Sequence, residues 1–210
     1  METRYDVGEI ALVGGNALLD LANTQSGPPG GAPDSEALHS YDDLVRWDRR
    51  MGLLDDTQAR RLTAAAARHP RLASAAFDRA RRLRADAYAT FEAIATDRRP
   101  PGDSVDRLHA AASEALAHAT LVAEGGRFAV GWDAGDDLDL AWWPAAHAGL
   151  ELLLRGPLDR VKGCGGCRYL FVDETKNRSR RWCSMDDCGT REKMRTYVAK
   201  RAARRAAGPA

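Results

Sequence analysis

A chain of 210 residues, 44% of them apolar, suits one large domain or one domain with a small appendage. No stretch approaches the ~20 apolar residues that span a bilayer, and the first six residues lack the apolar core of a secretion signal, so a soluble, cytoplasmic protein is expected. The net charge of +1 hides a split: from Arg160 onward fourteen Lys and Arg face five Asp and Glu, a net of +9, and the remainder carries −8. Such asymmetry suggests a tail that meets a polyanion and a body that does not.

In chain order, residues 9–24 read as a short strand, a Gly14-Gly15 turn and a second strand, with Leu19 and Leu21 alternating against Leu18, Asp20 and Ala22. A Pro/Gly loop follows over 26–35. A helix is predicted over about 40–51, with Ser40 as N-cap, Leu44, Val45, Trp47 and Met51 as its apolar stripe, and Gly52 as its stop. Asp55 or Asp56 starts another, which ends near His69-Pro70. A long Ala/Arg-rich helix runs from Leu72 to about Thr96, anchored by Phe77, Leu83, Tyr88, Phe91 and Ile94, until Pro100-Pro101-Gly102 breaks the pattern. A further helix covers about 103–119.

Strands are predicted at Arg127–Trp132 and Leu138–Trp143, joined by Asp133-Ala134-Gly135-Asp136 as a hairpin turn. Pro144 suits the first turn of a helix that ends at Gly156-Pro157. The expected body, 1–157, is therefore α+β: mostly helical with a small antiparallel sheet. The tail, 158–210, continues with a turn at 162–167, a strand at 169–172, a basic loop at 174–181 and a helix over about 189–206.

All four cysteines lie in that tail, as Cys164-x2-Cys167 and Cys183-x4-Cys188. Two close pairs with a short insert suit one tetrahedral zinc ion held by four thiolates. Two disulfides would need an oxidising compartment, and a redox Cys-x-x-Cys would leave Cys183 and Cys188 without a role. A pair on a hairpin turn and a pair at a helix start describe a treble-clef-like finger. Fifty residues bury little apolar surface, so the structural zinc is expected to supply much of the folding free energy.

The stretches Leu170-Phe171-Val172-Asp173, Arg180-Arg181-Trp182-Cys183-Ser184-Met185 and Cys188-Gly189-x-Arg191-x-Lys193 resemble the CGNR zinc-finger family. Thr190 stands where the family's name-giving motif has Asn, and its hydroxyl is expected to cap the helix. Upstream, Gly14-Gly15-x3-Leu18-Leu19-Asp20-Leu21-Ala22-Asn23-Thr24, with Leu44-x2-Trp47 and Gly52-Leu53-Leu54, is similar to the ABATE domain that partners this finger. The resemblance implies a bacterial transcription regulator, often described as stress-induced, and not an established enzyme.

For the tail, the expected nucleic-acid contacts are Lys176, Arg178, Arg180 and Arg181 on the loop and Arg191, Lys193 and Arg195 on the final helix, with Lys200, Arg201, Arg204 and Arg205 beyond. The alternative is a solvated face whose cations favour the helix C-terminus. Double-stranded DNA is the preferred partner, bound in a salt-sensitive way, with a homodimer as one route to specificity. Trp182 is expected to pack behind the metal.

In the body, Asp20 and Asn23 end the second predicted strand and, with Trp47, suggest a pocket for a small-molecule effector; equally, Asp20 and Asn23 satisfy loop backbone groups. Trp132, Trp142 and Trp143 read as sheet core. The five histidines lack metal spacing, and no phosphate loop or catalytic motif occurs. The expectation is a DNA-binding transcription regulator with an α+β sensor or dimerisation body. Its rivals are an RNA-binding or protein-interaction module, and an enzyme with a site in the body.

Overall fold

The computed structural model describes residues 3–133 and 135–206. Its elements are β1 (Thr3–Arg4), α1 (Ala17–Ala22), β2 (Gln25–Ser26), β3 (Ser35–Glu36), α2 (Tyr41–Met51), α3 (Asp56–Arg68), α4 (Pro70–Ala95), α5 (Gly102–Ala117), β4 (Thr120–Glu124), β5 (Arg127–Gly131), α6 (Trp143–Arg155), β6 (Val161–Gly163), β7 (Leu170–Val172) and α7 (Thr190–Ala206). The chain is α+β and mostly helical. Its strands form three small sheets rather than one: β1-β3-β2, β4-β5 and β6-β7. No described helix is long and apolar enough to cross a membrane.

Local chemistry sets most helix ends. The Ser40 side chain accepts from the Asp43 amide to start α2, and Gly52 closes it in the left-handed conformation. Asp55 and Gln58 form a reciprocal capping box on α3. Pro70 does not merely stop α3; it opens α4, where its missing N–H costs nothing. Buried Ala73, Ala76, Ala80 and Ala87 give α4 a narrow inner face, which lets its neighbours approach closely. Where α1 crosses α6 there is no room for a side chain: a Cβ on Gly149 would lie 2.0 Å from Leu18 Cδ2 and 3.1 Å from Leu18 Cβ.

Two predicted strand regions are helical. Residues 17–22 form α1, capped by Asn16, whose side chain accepts from the Leu18 amide. All six residues of α1 are buried, so no polar face marks the helical period and neighbouring residues mimic strand alternation. Leu138–Ala141 is a 3-10 turn capped by Asp137, and Trp143 already begins α6. The true partner of β5 is β4, joined across Gly125-Gly126, whose φ values of 55° and 80° are those of a tight hairpin turn. The expected turn at 133–136 therefore joins no hairpin; its Ala134 lies outside the described residues.

The three tryptophans expected in a sheet core sit among helices instead. Trp142 and Trp143 are buried edge to face at 6.2 Å, His118 stacks on Trp143 at 4.5 Å, and Trp132 donates to the Ala115 carbonyl. A buried ion pair ties the small sheet to α4: Arg84 donates to both Glu36 oxygens at 2.7 and 2.6 Å and to Thr24 at 2.9 Å. Burial alone would raise the Glu36 carboxyl, but the Arg84 bonds and the Leu38 amide hold it below its usual range.

Candidate metal centre and basic finger

Cys164 and Cys167 sit in the knuckle between β6 and β7. Cys183 lies just ahead of a π-helical turn, Met185–Gly189, that feeds α7, and Cys188 lies within that turn. All four are buried, and their sulfurs lie within 4.8 Å of one another. The Cys167–Cys183 and Cys183–Cys188 separations are both 3.6 Å, far beyond a disulfide and close to the ~3.8 Å edge of a tetrahedron with zinc–sulfur bonds of ~2.3 Å. Gly166 makes room at the knuckle: a Cβ there would stand 3.0 Å from Cys188 Cβ. Among the described residues, these four are the one group of three or more His, Cys, Asp or Glu side chains placed to share a metal ion.

The donor chemistry demands a cation. Bonds from Cys167 and Cys183 hold the Cys164 thiol far below its usual range. The same sharing pushes Cys167 up to about 12 and Cys183 higher still. Four thiolates this close repel, and a dication at their centre removes that penalty. Around the sulfurs, Cys164 accepts from the amides of Gly166 and Cys183 at 3.3 and 3.2 Å, and Cys188 accepts from Arg191 Nη2 at 3.0 Å. Such outer partners fix ligand orientation. Phe171, Val13, Tyr169 and Trp182 pack against the quartet, which places Trp182 behind the metal as expected.

The finger does not fold on the metal alone. Val161, Leu170 and Val172 of the β6–β7 hairpin belong to the main hydrophobic core, so body and finger share one interior. Asn23 acts as a strand surrogate, donating to the Leu170 carbonyl at 2.9 Å and accepting from the Leu170 amide at 2.8 Å. Arg168 stacks on Tyr88 of α4 at 3.5 Å and donates to the Gly31 carbonyl at 2.7 Å, which pins the Pro/Gly loop. Sequence reasoning missed Arg168, because its partners lie far away along the chain.

Asp173 organises the basic loop. Its Oδ1 accepts from the Thr175 amide and hydroxyl at 2.9 and 2.6 Å, and its Oδ2 from Lys162 Nζ at 2.6 Å and the Arg180 amide at 3.0 Å. Burial would raise this carboxyl, but those four bonds hold it well below the usual range.

The expected nucleic-acid residues divide. Arg180 is turned inward: it donates to the carbonyls of Val13 at 3.1 Å, Cys183 at 2.6 Å and Trp182 at 3.1 Å, and lies over Phe171 at 4.1 Å. That occupies its guanidinium as a brace between finger and body, and a phosphate contact is not its role. Arg178 pairs with Asp159, Arg191 with Asp187 at 3.1 Å, and Arg195 with Glu192 at 2.5 Å. Lys176, Arg181 and Lys193 are exposed with no ion pair among the described residues, as are Lys200 and Arg201 further along α7. The side chains of Arg204 and Arg205 lie outside the described residues. The Thr190 hydroxyl donates back to the Met185 carbonyl at 3.0 Å instead of accepting a helix amide, so it closes the π turn.

The three expected pocket residues are not brought around one cavity. Asp20, within α1 and not at a strand end, accepts from the Val13 and Gly14 amides at 2.9 and 2.8 Å, while burial pushes its carboxyl up. Asn23 is committed to Leu170, and Trp47 is sealed in the helical core.

Two family models match the chain. ABATE, described as "Putative stress-induced transcription regulator", matches residues 15–156, and the CGNR zinc finger matches residues 160–201. No curated protein matches it. Neither model describes an enzyme. With the first match covering more than half of its length and a buried four-cysteine site that suits one structural zinc ion closing its C-terminal part, the chain belongs to the ABATE family and carries a CGNR zinc finger.

Proposed function

We propose that this zinc-binding regulatory protein acts on transcription by binding double-stranded DNA through the outer face of its finger. One observation carries the reading: Arg181, Lys193 and Lys200 line a single groove with Trp182, Tyr197 and Glu192; the acid is paired with Arg195, and none of the three cations has an acidic partner among the described residues. Lys176 and Arg201 extend the unpaired set. Arg195 adds to it cheaply, since an exposed ion pair like the one it makes with Glu192 contributes ~0–1 kcal/mol and exchanges readily for phosphate, whereas Arg191 stays on Cys188. The zinc holds the loop and α7 in fixed relation, and the cations supply the contacts. An acidic body, at −8, turns the polyanion toward this face.

Fluorescence anisotropy of duplex DNA across a salt series tests this. The triple substitution Arg181→Ala, Lys193→Ala and Lys200→Ala should weaken binding and reduce the logarithmic salt slope by about 3, at unchanged zinc content. Unchanged affinity and slope in the triple variant would end the proposal. Tighter binding to single-stranded RNA would move the function to RNA.

A second reading has its own observation. Met194, Tyr197 and Val198 are each more than half exposed and recur at i, i+3 and i+4 on α7. That stripe suits a helix-to-helix contact between two copies, which would double the DNA contacts. Sedimentation of wild type against Met194→Glu decides it: a dimer that persists in the variant excludes the stripe as the interface.

A further inference from the structure

A cavity of about 360 Å³ opens between body and finger beside the cysteine quartet, at the low end of small-molecule sites. We propose that it binds a small organic cation, a protonated amine on an aromatic or apolar stem. Its finger wall includes Cys167, Cys183 and Tyr169, and its body wall includes Tyr5 and Ser35. No part of this reading depends on DNA binding, because none of the groove cations lines the cavity.

Charge selects the ligand class. A zinc ion held by four thiolates carries a net charge of about −2, and two of the four cysteines, Cys167 and Cys183, line the cavity. The carboxylates of Glu9 and Asp187 also line it, both on exposed residues at its rim. Among the described residues its one lining cation, Arg191, is already bonded to Asp187 at 3.1 Å and to Cys188 Sγ at 3.0 Å. An anion entering here meets uncompensated negative charge; an ammonium meets its complement.

The remaining chemistry suits an amine with a stem. Tyr5 and Tyr169 present phenol rings to a cation or an aromatic body. Ser35, only 4% exposed, also lines the cavity and brings a hydroxyl that can accept from an ammonium N–H. Ile10 and Ala37 supply apolar surface for the stem.

The test titrates the zinc-loaded, full-length protein with phenethylammonium and with phenylacetate, which share a body and differ in charge, by calorimetry and by amide chemical shifts. The expected result is saturable one-to-one binding of the amine, with the anion at least about tenfold weaker. Ala11→Trp, on an exposed residue of the lining, should block entry, and Glu9→Lys should weaken the amine about tenfold. Both variants should keep one zinc and the wild-type unfolding temperature, which separates loss of the site from loss of the fold. Equal affinity for phenylacetate, no saturable amine binding at millimolar concentration, or full binding by both variants would overturn the proposal.

Discussion

Arg180 and Arg181 are neighbours in the chain and opposites in use. Arg180 faces the body and donates to carbonyls of Val13, Trp182 and Cys183; Arg181 faces solvent, with its guanidinium 5.4 Å from the Trp182 ring. The same division holds for the finger as a whole. Its inner side, with Arg168, Leu170, Val172 and Arg180, is part of the body's interior, while on its outer side Lys176, Arg181, Lys193 and Lys200 have no acidic partner among the described residues. A charge count over the tail cannot tell the two sides apart, because a brace and a phosphate contact are both arginines. What separates them is whether buried carbonyls need a donor at that place.

The largest effect on this division should come from removing the metal. Structural zinc contributes ~10–16 kcal/mol in isolated finger peptides, where folding and binding are one event. Here the hairpin has a second anchor in the shared core, so chelation should release only the outer side. The expected hydrogen-exchange result is lost protection over residues 181–206 with protection retained in β6, β7 and α2 to α6. Loss of protection across the whole chain would show that the body depends on the metal too, and that the two sides are one unit.

Next comes the arginine pair. Arg180→Ala leaves three carbonyls without their donor and removes a stacked guanidinium from Phe171, so it should destabilise the fold by about 2–4 kcal/mol. Arg181→Ala should change stability by less than about 0.5 kcal/mol and lower the salt slope of DNA binding by about 1. Denaturant unfolding and anisotropy on both variants form the check. Equal stability losses would erase the distinction drawn above.

Sequence legibility follows the same line between local and distant causes. Helix ends at Ser40, Asp55, Gly52 and Gly156 were readable because a cap is set by residues within a few positions. The metal site was readable because ligand spacing is itself local, two residues in one pair and four in the other. Residues 17–22 and 138–143 were not, since a segment buried all round carries no polar face to report its period. The seam was hidden for a third reason. Asn23 to Leu170, Arg168 to Gly31 and Arg180 to Val13 join residues 147, 137 and 167 apart, and no pattern along the chain announces such a pairing.

The body holds a smaller counterexample, a buried polar group with no partner. Asp48 is fully buried in α2, and neither carboxylate oxygen has a hydrogen-bond partner among the described residues. Burial raises its carboxyl well above the usual range, so the folded chain keeps a proton that the unfolded chain releases near pH 3.9. Because the folded state binds more protons, this group's contribution to stability is complete below that pH and is lost as pH rises toward the folded value. Asp48→Asn keeps the shape and cannot ionise. It should match wild type near pH 3 and exceed it increasingly as pH rises, since each pH unit between the unfolded and folded values removes ~1.4 kcal/mol from wild type alone, to a ceiling of ~4 kcal/mol at pH 7. Urea unfolding of both proteins at the two pH values measures the difference. A variant less stable than wild type at pH 7 would mean that the carboxylate has a partner after all, and that the body, like the finger's inner face, leaves no buried charge unmatched.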